Sequence, residues 1–194
     1  MNNEHSGKII KELAARLPKG SIQFGAGLPA SIKCAVKELV RLTPEKQTVE
    51  ELSYQLIVVL DMNRYLDYKG VRDRRQRDLI KRLKTAFTLD QQWPIYINGE
   101  SDLYSAITAR QSSVEDPVVY KLAGVIAHER VHAQGESSEV KAIEEEIRIL
   151  EIFVVQSLVE LEWLTTRKAK LAQLVKGQLP DEPLRVNKSK PSRL

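Results

Sequence analysis

Two of the three histidines in this 194-residue chain lie four residues apart, in His128-Glu129-Arg130-Val131-His132. On a helix, residues i and i+4 stand one above the other on a single face. Two imidazoles placed so can close on one zinc ion, one per chain. Glu129 leans toward the same cleft, where a carboxylate can take the proton from a zinc-bound water. An open zinc site of this kind wants a third protein ligand, and an acidic cluster follows at once. Glu136 and Glu139 are the candidates, with Glu146 two turns further on. Glu136 falls just past Gly135, in a turn. Glu139 falls in the first turn of a following helix, just inside a Ser137 or Ser138 cap, where its backbone is held. We therefore expect Glu139 to complete the site, with Glu136 as the alternative. Tyr104 and Tyr120 carry hydroxyls that could stabilise a tetrahedral intermediate, although a place in the core or at its rim explains either ring.

The elements that must position these residues can be read from periodicity. Pro117 introduces an unusually apolar helix, Val118–Gln134, and Gly135 supplies its stop. Gly124, one turn before His128, leaves room on that face. A last helical stretch reaches about Val175 with apolar residues at 3–4 spacing, interrupted at Ser157 and Lys168. Upstream, Ile9, Ile10, Leu13 and Leu17 form one helical stripe behind a frayed segment 1–7. Pro29 opens a second helix carrying Ile32, Ala35, Val36, Leu39 and Val40. Thr48 and Glu51 match a capping box, opening a helix expected to run through Leu60. A further helix after Gly70 carries Leu79, Ile80, Leu83 and Phe87. Trp93–Asn98 breaks the pattern: β-branched and aromatic, with a proline near its start, it reads as an edge strand. The expected fold is mainly α (α+β), with one short edge strand or small sheet. We expect one domain over 8–178: an N-terminal helical part (8–89), a catalytic core (90–155) and a C-terminal helix extension (156–178). Residues 179–194 read as a disordered polar tail.

The segment around His128 resembles the active-site helix of the zincin metallopeptidases. Glu139-x-x-Ala142 is similar to the glutamate-ligand helix of the gluzincin branch, where a small residue lets two helices pack closely. The resemblance covers about residues 90–155. It implies a peptidase whose zinc is held by His128, His132 and Glu139, with Glu129 as general base. It also implies that a peptide or protein substrate lies along the Trp93–Asn98 strand. The chain departs from the family in having Arg130 between the ligands, Gln134 where an apolar residue is usual, and Ile143 where an aspartate often orients a histidine. A metzincin's third histidine would fall on Ser138, and no methionine follows the motif.

Composition bounds the other possibilities. A formal charge of +4 is mildly basic, short of the field of a dedicated nucleic-acid binder. One cysteine, Cys34, excludes a disulfide scaffold within the chain and a cysteine-based zinc knuckle, and is simplest as a core residue. The apolar run Leu56–Leu60 is too short to span a bilayer, and Ile147–Leu164 is interrupted by four charges. With no apolar stretch near Met1, a cytoplasmic protein is expected. Basic residues over Arg64–Lys84, with Tyr65 and Tyr68, could grip phosphates as a non-catalytic binding protein would. Asp67, Asp73 and Asp78 are mixed in, so a solvated helix face is the simpler reading, and nucleic acid is not an expected partner. The C-terminal stripe could form a homo-oligomer seam. Ile149, Ile152, Val159 and Trp163 on other faces argue instead for burial within the chain.

Overall fold

The computed structural model describes residues 2–44, 46–89, 92–109 and 116–179. The first helix, α1 (Asn2–Arg16), begins earlier than expected. Ser6 is buried, so the first turns pack against the body of the protein instead of fraying. Strand β1 (Ile22–Phe24) follows, and after a 3-10 turn at Gly25–Gly27 comes α2 (Ala30–Leu42), entered through Pro29. The capping box then opens α3 (Val49–Tyr54): Glu51 N donates to Thr48 Oγ1 and Thr48 N donates to Glu51 Oε2 at 2.8 Å.

This helix does not continue through Leu60 as expected. Leu56–Val59 forms β2, and all four residues are buried. A run that is apolar on both faces and β-branched suits a strand covered on both sides, and such a run carries no alternation to reveal it. Helices α4 (Met62–Tyr68) and α5 (Arg74–Leu83) follow, N-capped by the carboxylates of Asp61 and Asp73. Phe87, expected on the second of these, lies instead in β3 (Ala86–Leu89). There it stands opposite Tyr96 of β4 (Gln92–Asn98), the two rings stacked with centroids 5.3 Å apart.

The sheet order is β1-β2-β4-β3, with β2 and β4 parallel and the two outer pairings antiparallel. Trp93–Asn98 is therefore an inner strand, and the edge beside the cleft is β3. Pro94 is tolerated because the ladder to β2 starts only at Leu56↔Ile95. Alternate residues point to opposite faces. Leu56, Val58, Ile95 and Ile97 meet α2, α7 and α8, whereas Ile57, Val59, Phe87 and Tyr96 meet α1, α4 and α5.

After α6 (Asp102–Ala109) comes α7 (Pro117–Ala133), capped by Asp116, with 14 of its 17 residues buried. Burial of Val119, Leu122 and Ile126, at roughly 1.5–3 kcal/mol each, anchors it beneath the sheet. A Schellman turn then reverses the chain: Gly135 N bonds His132 O, Glu136 N bonds Val131 O, and Gly135 has φ of 94°. Ser138 caps α8 (Glu139–Val155), its hydroxyl accepting from Lys141 N.

The single long helix expected to Val175 is two. A second Schellman turn, Ser157 N to Val154 O and Leu158 N to Phe153 O, stops α8, with Ser157 at φ of 57°. Neither glycine nor proline marks that break. Helix α9 (Leu161–Val175) folds back on α8, burying Leu164 and Leu174 in the main core, while Leu161 and Val175 of the candidate oligomer seam stay exposed. The chain is mainly helical with a small four-stranded sheet. Of the expected tail, residues 180–194 lie outside those described. No helix among the described residues is long and apolar enough to cross a membrane.

Candidate metal centre

The two-helix hairpin α7–α8 brings the sequence candidates together. His128 and His132 stand one turn apart on one face of α7, their rings edge-to-face with centroids 5.0 Å apart. Close approach of α8 depends on small residues: Ala142 is fully buried, and a Cβ on Gly124 would meet Leu150 Cδ2 at 3.0 Å and Glu146 Cγ at 3.5 Å. The space expected at Gly124 is thus filled by the neighbouring helix. Glu139 Oε2 lies 3.2 Å from His132 Nε2 and 3.6 Å from His128 Nε2. One donor atom from each of His128, His132 and Glu139 falls within 4.8 Å of the others, and all three residues are buried.

The outward nitrogens of both imidazoles face oxygens, hydrogen-bonded at His132 and at ion-pair distance alone at His128. His132 Nδ1 lies 2.8 Å from the Glu136 carbonyl oxygen, and His128 Nδ1 lies 3.3 Å from Glu146 Oε2. With Glu139 Oε2 accepting from Nε2 of His132 and an oxygen beside each Nδ1, the rings keep Nε2 turned to the ligand cluster, where a metal would take the place of the Nε2 proton. Glu146 therefore takes the orienting place that the sequence left empty at Ile143. Its position seven residues after Glu139, on the same helical face, was the available signal.

Glu136 takes a different part from its candidate one. Its carboxylate accepts from Ser138 N at 3.0 Å and Lys141 Nζ at 2.6 Å, closing the turn, while its carbonyl faces His132. Arg130 points away from the cleft. It donates to Thr43 Oγ1 at 2.8 Å and Glu145 Oε1 at 3.1 Å, so the charge between the two histidines serves the back of α7. Tyr104 donates its hydroxyl proton to Gln23 Oε1, and the Tyr120 ring packs on Phe153. Neither tyrosine lines the cleft around His128.

That cleft, a cavity of about 70 Å³, has room for an ion and a few waters. Lys84, Thr85 and Ala86, leading into edge strand β3, form one wall, and Arg167 and Lys170 of α9 form another. Lys170 Nζ donates to Glu139 Oε1 at 2.7 Å, and Arg167 Nε lies 2.7 Å from Glu146 Oε1. Nothing local in the sequence marks these two cations, because the turn at Ser157 folds α9 back to the site. On the far side of the sheet, Arg77 donates to Asp67 and the Val71 carbonyl, and Lys81 pairs with Glu100. Part of the Arg64–Lys84 charge is thus neutralised internally.

Electrostatics in the cleft favour a cation at the histidine nitrogens. Burial alone would keep His128 neutral, but the carboxylates of Glu139 and Glu146 outweigh it and lift the pKa to about 9. Burial would also raise Glu139, yet His128, His132 and Lys84 hold it well below the usual carboxylate range. Glu146 is held low against its own burial by His128 and Arg167. Burial pushes the Glu129 carboxyl up, only partly countered by His128 and Lys84. A divalent ion would satisfy the same field by displacing the proton, and two imidazoles with one carboxylate are a donor set that zinc takes readily. The residues fit the ion. Comparison with known protein families, curated proteins and solved structures finds no match.

Proposed function

We propose that this chain is a zinc-dependent metallopeptidase of the zincin kind, hydrolysing peptide bonds in a peptide or protein. One observation carries the proposal: His128 Nε2, His132 Nε2 and Glu139 Oε2 converge in a buried cleft, with each Nδ1 facing an oxygen. These three residues would hold one zinc ion. When bound, zinc supplies Lewis acidity to the attacking water and to the scissile carbonyl.

The remaining steps belong to the chain. Glu129 Oε1 lies 4.0 Å from His128 Nε2, beside the ligand cluster without joining it. A carboxylate there can accept the proton of the attacking water and deliver it to the leaving amine, so that OH joins the acyl fragment and H the amine. Its burial, which raises its proton affinity, suits both steps. The free edge of β3 offers main-chain groups to an extended substrate, the part first expected of Trp93–Asn98.

The test is Glu129→Gln. It should keep zinc and fold while turnover of a quenched fluorescent peptide library falls roughly 10²–10⁴-fold. Wild-type turnover in that variant would refute the assignment of the proton carrier.

A further inference from the structure

Each of the two carboxylates beside the histidines is shared between a ring nitrogen and a cation. Glu139 turns Oε2 to the Nε2 atoms and Oε1 to Lys170; Glu146 turns Oε2 to His128 Nδ1 and Oε1 to Arg167. Both cations come from α9.

We propose that α9 is an integral part of the metal centre, with Arg167 and Lys170 as positioning residues that act through the second oxygen of each carboxylate. The inference rests on the zinc-site reading above and adds a specific coordination mode. A carboxylate that chelates a metal with both oxygens needs both free. Lys170 holds Glu139 Oε1 at 2.7 Å, so Glu139 is restricted to Oε2 as a single-oxygen ligand. Arg167 acts one step further out: its charge lies 2.7 Å from Glu146 Oε1 as an ion pair without a hydrogen bond, and Glu146 Oε2 in turn lies 3.3 Å from His128 Nδ1.

Arg167 is itself held. Its guanidinium lies over the Trp163 ring, 4.8 Å from the centroid, and the same ring carries Lys121 Nζ at 5.1 Å. A planar cation that stacks and ion-pairs at once is a demand met by arginine and only partly by lysine. The chain His128–Glu146–Arg167–Trp163 thus runs from α7 through α8 to α9 and makes the metal site depend on the third helix.

The experiment measures zinc affinity by chelator competition and the visible spectrum of the cobalt-substituted protein. Wild type, Arg167→Met, Arg167→Lys and Lys170→Met are compared, with circular dichroism confirming fold. Arg167→Met should weaken zinc at least about tenfold, and Arg167→Lys should recover part of the loss. Lys170→Met removes the cation held at Oε1, and Glu139 should then bind cobalt through both oxygens; the coordination number rises and the visible band loses intensity. Folded Arg167→Met with affinity within about twofold of wild type, together with an unchanged cobalt spectrum in Lys170→Met, would overturn the role of α9. Should Arg167→Met not fold, the Lys170→Met spectrum decides alone, a changed band supporting the proposal and an unchanged one overturning it. Wild-type protein that takes up neither zinc nor cobalt would overturn the metal reading itself, and this inference with it.

Discussion

Arg130 offers the sharpest test of how the site helix is held, because it sits between the two histidines yet faces the opposite way. It is 1% exposed and joins three helical elements: α7 by its backbone, the C-terminal end of α2 through Thr43, and α8 through Glu145. In Arg130→Met the stem volume is kept and both hydrogen bonds are lost. Hydrogen bonds involving a charged group are worth about 1.5–3 kcal/mol each, a gross loss of about 3–6 kcal/mol. Two features reduce it. Glu145 keeps Arg148 at 2.8 Å and Lys46 at 3.8 Å, so its charge is not stranded, and the methionine thioether buries favourably. A net destabilisation of about 2–4 kcal/mol remains, read by urea denaturation followed by circular dichroism. Acidification adds a second readout. Burial pushes Glu145 up, but Arg148, Lys46 and Arg130 together hold its carboxyl below the ordinary value of 4.5. Its contribution to stability is therefore present above that value and lost as pH falls through the depressed pKa of the folded state. With one of the three cations removed, the variant should lose less stability on acidification than wild type. Zinc content should be unaffected. A cost below about 1 kcal/mol, or a folded variant without zinc, would mean that Arg130 does not brace the back of α7 as described.

Two further outcomes are expected. Zinc affinities of Glu136→Ala and Glu139→Ala, measured side by side, should separate cap from ligand: at least about a tenfold loss for Glu139→Ala and little for Glu136→Ala, with the reverse order contradicting the site. Ser157→Gly removes a left-handed non-glycine residue from the α8–α9 turn and should stabilise by about 0.5–1 kcal/mol, a rise of a few degrees in Tm by calorimetry, whereas a fall would mean that the serine side chain holds that turn.

The grouping of the candidate site residues was more legible than the sheet. Two histidines at i, i+4 and a glutamate inside a serine-capped helix are local patterns, and the α7–α8 hairpin needs only Gly135 to bring them together. The capping box at Thr48 and Glu51 and the helix start at Pro29 were legible for the same reason. The sheet depends on partners distant in sequence. Leu56–Val59 has no alternation because both of its faces are covered, so nothing local distinguishes it from a buried helical turn. Phe87 fell on a helical stripe by spacing, while its placement is decided by pairing with Tyr96. The second half of the site, Arg167 and Lys170, was hidden by a turn built on Ser157, a residue that rarely adopts the left-handed conformation glycine would have announced. Arg130 looked like an intrusion into the motif because a linear pattern does not say which side of a helix a residue serves.

A cleft built for zinc should reveal itself in metal analysis. Protein purified without a polyhistidine tag and dialysed against zinc-depleted buffer should retain about one zinc per chain. His132→Ala, folded by circular dichroism, should retain almost none, since it removes one of the three converging donor atoms. Wild-type protein that is zinc-free and cannot be reloaded, or His132→Ala that holds zinc as well as wild type, would contradict the account.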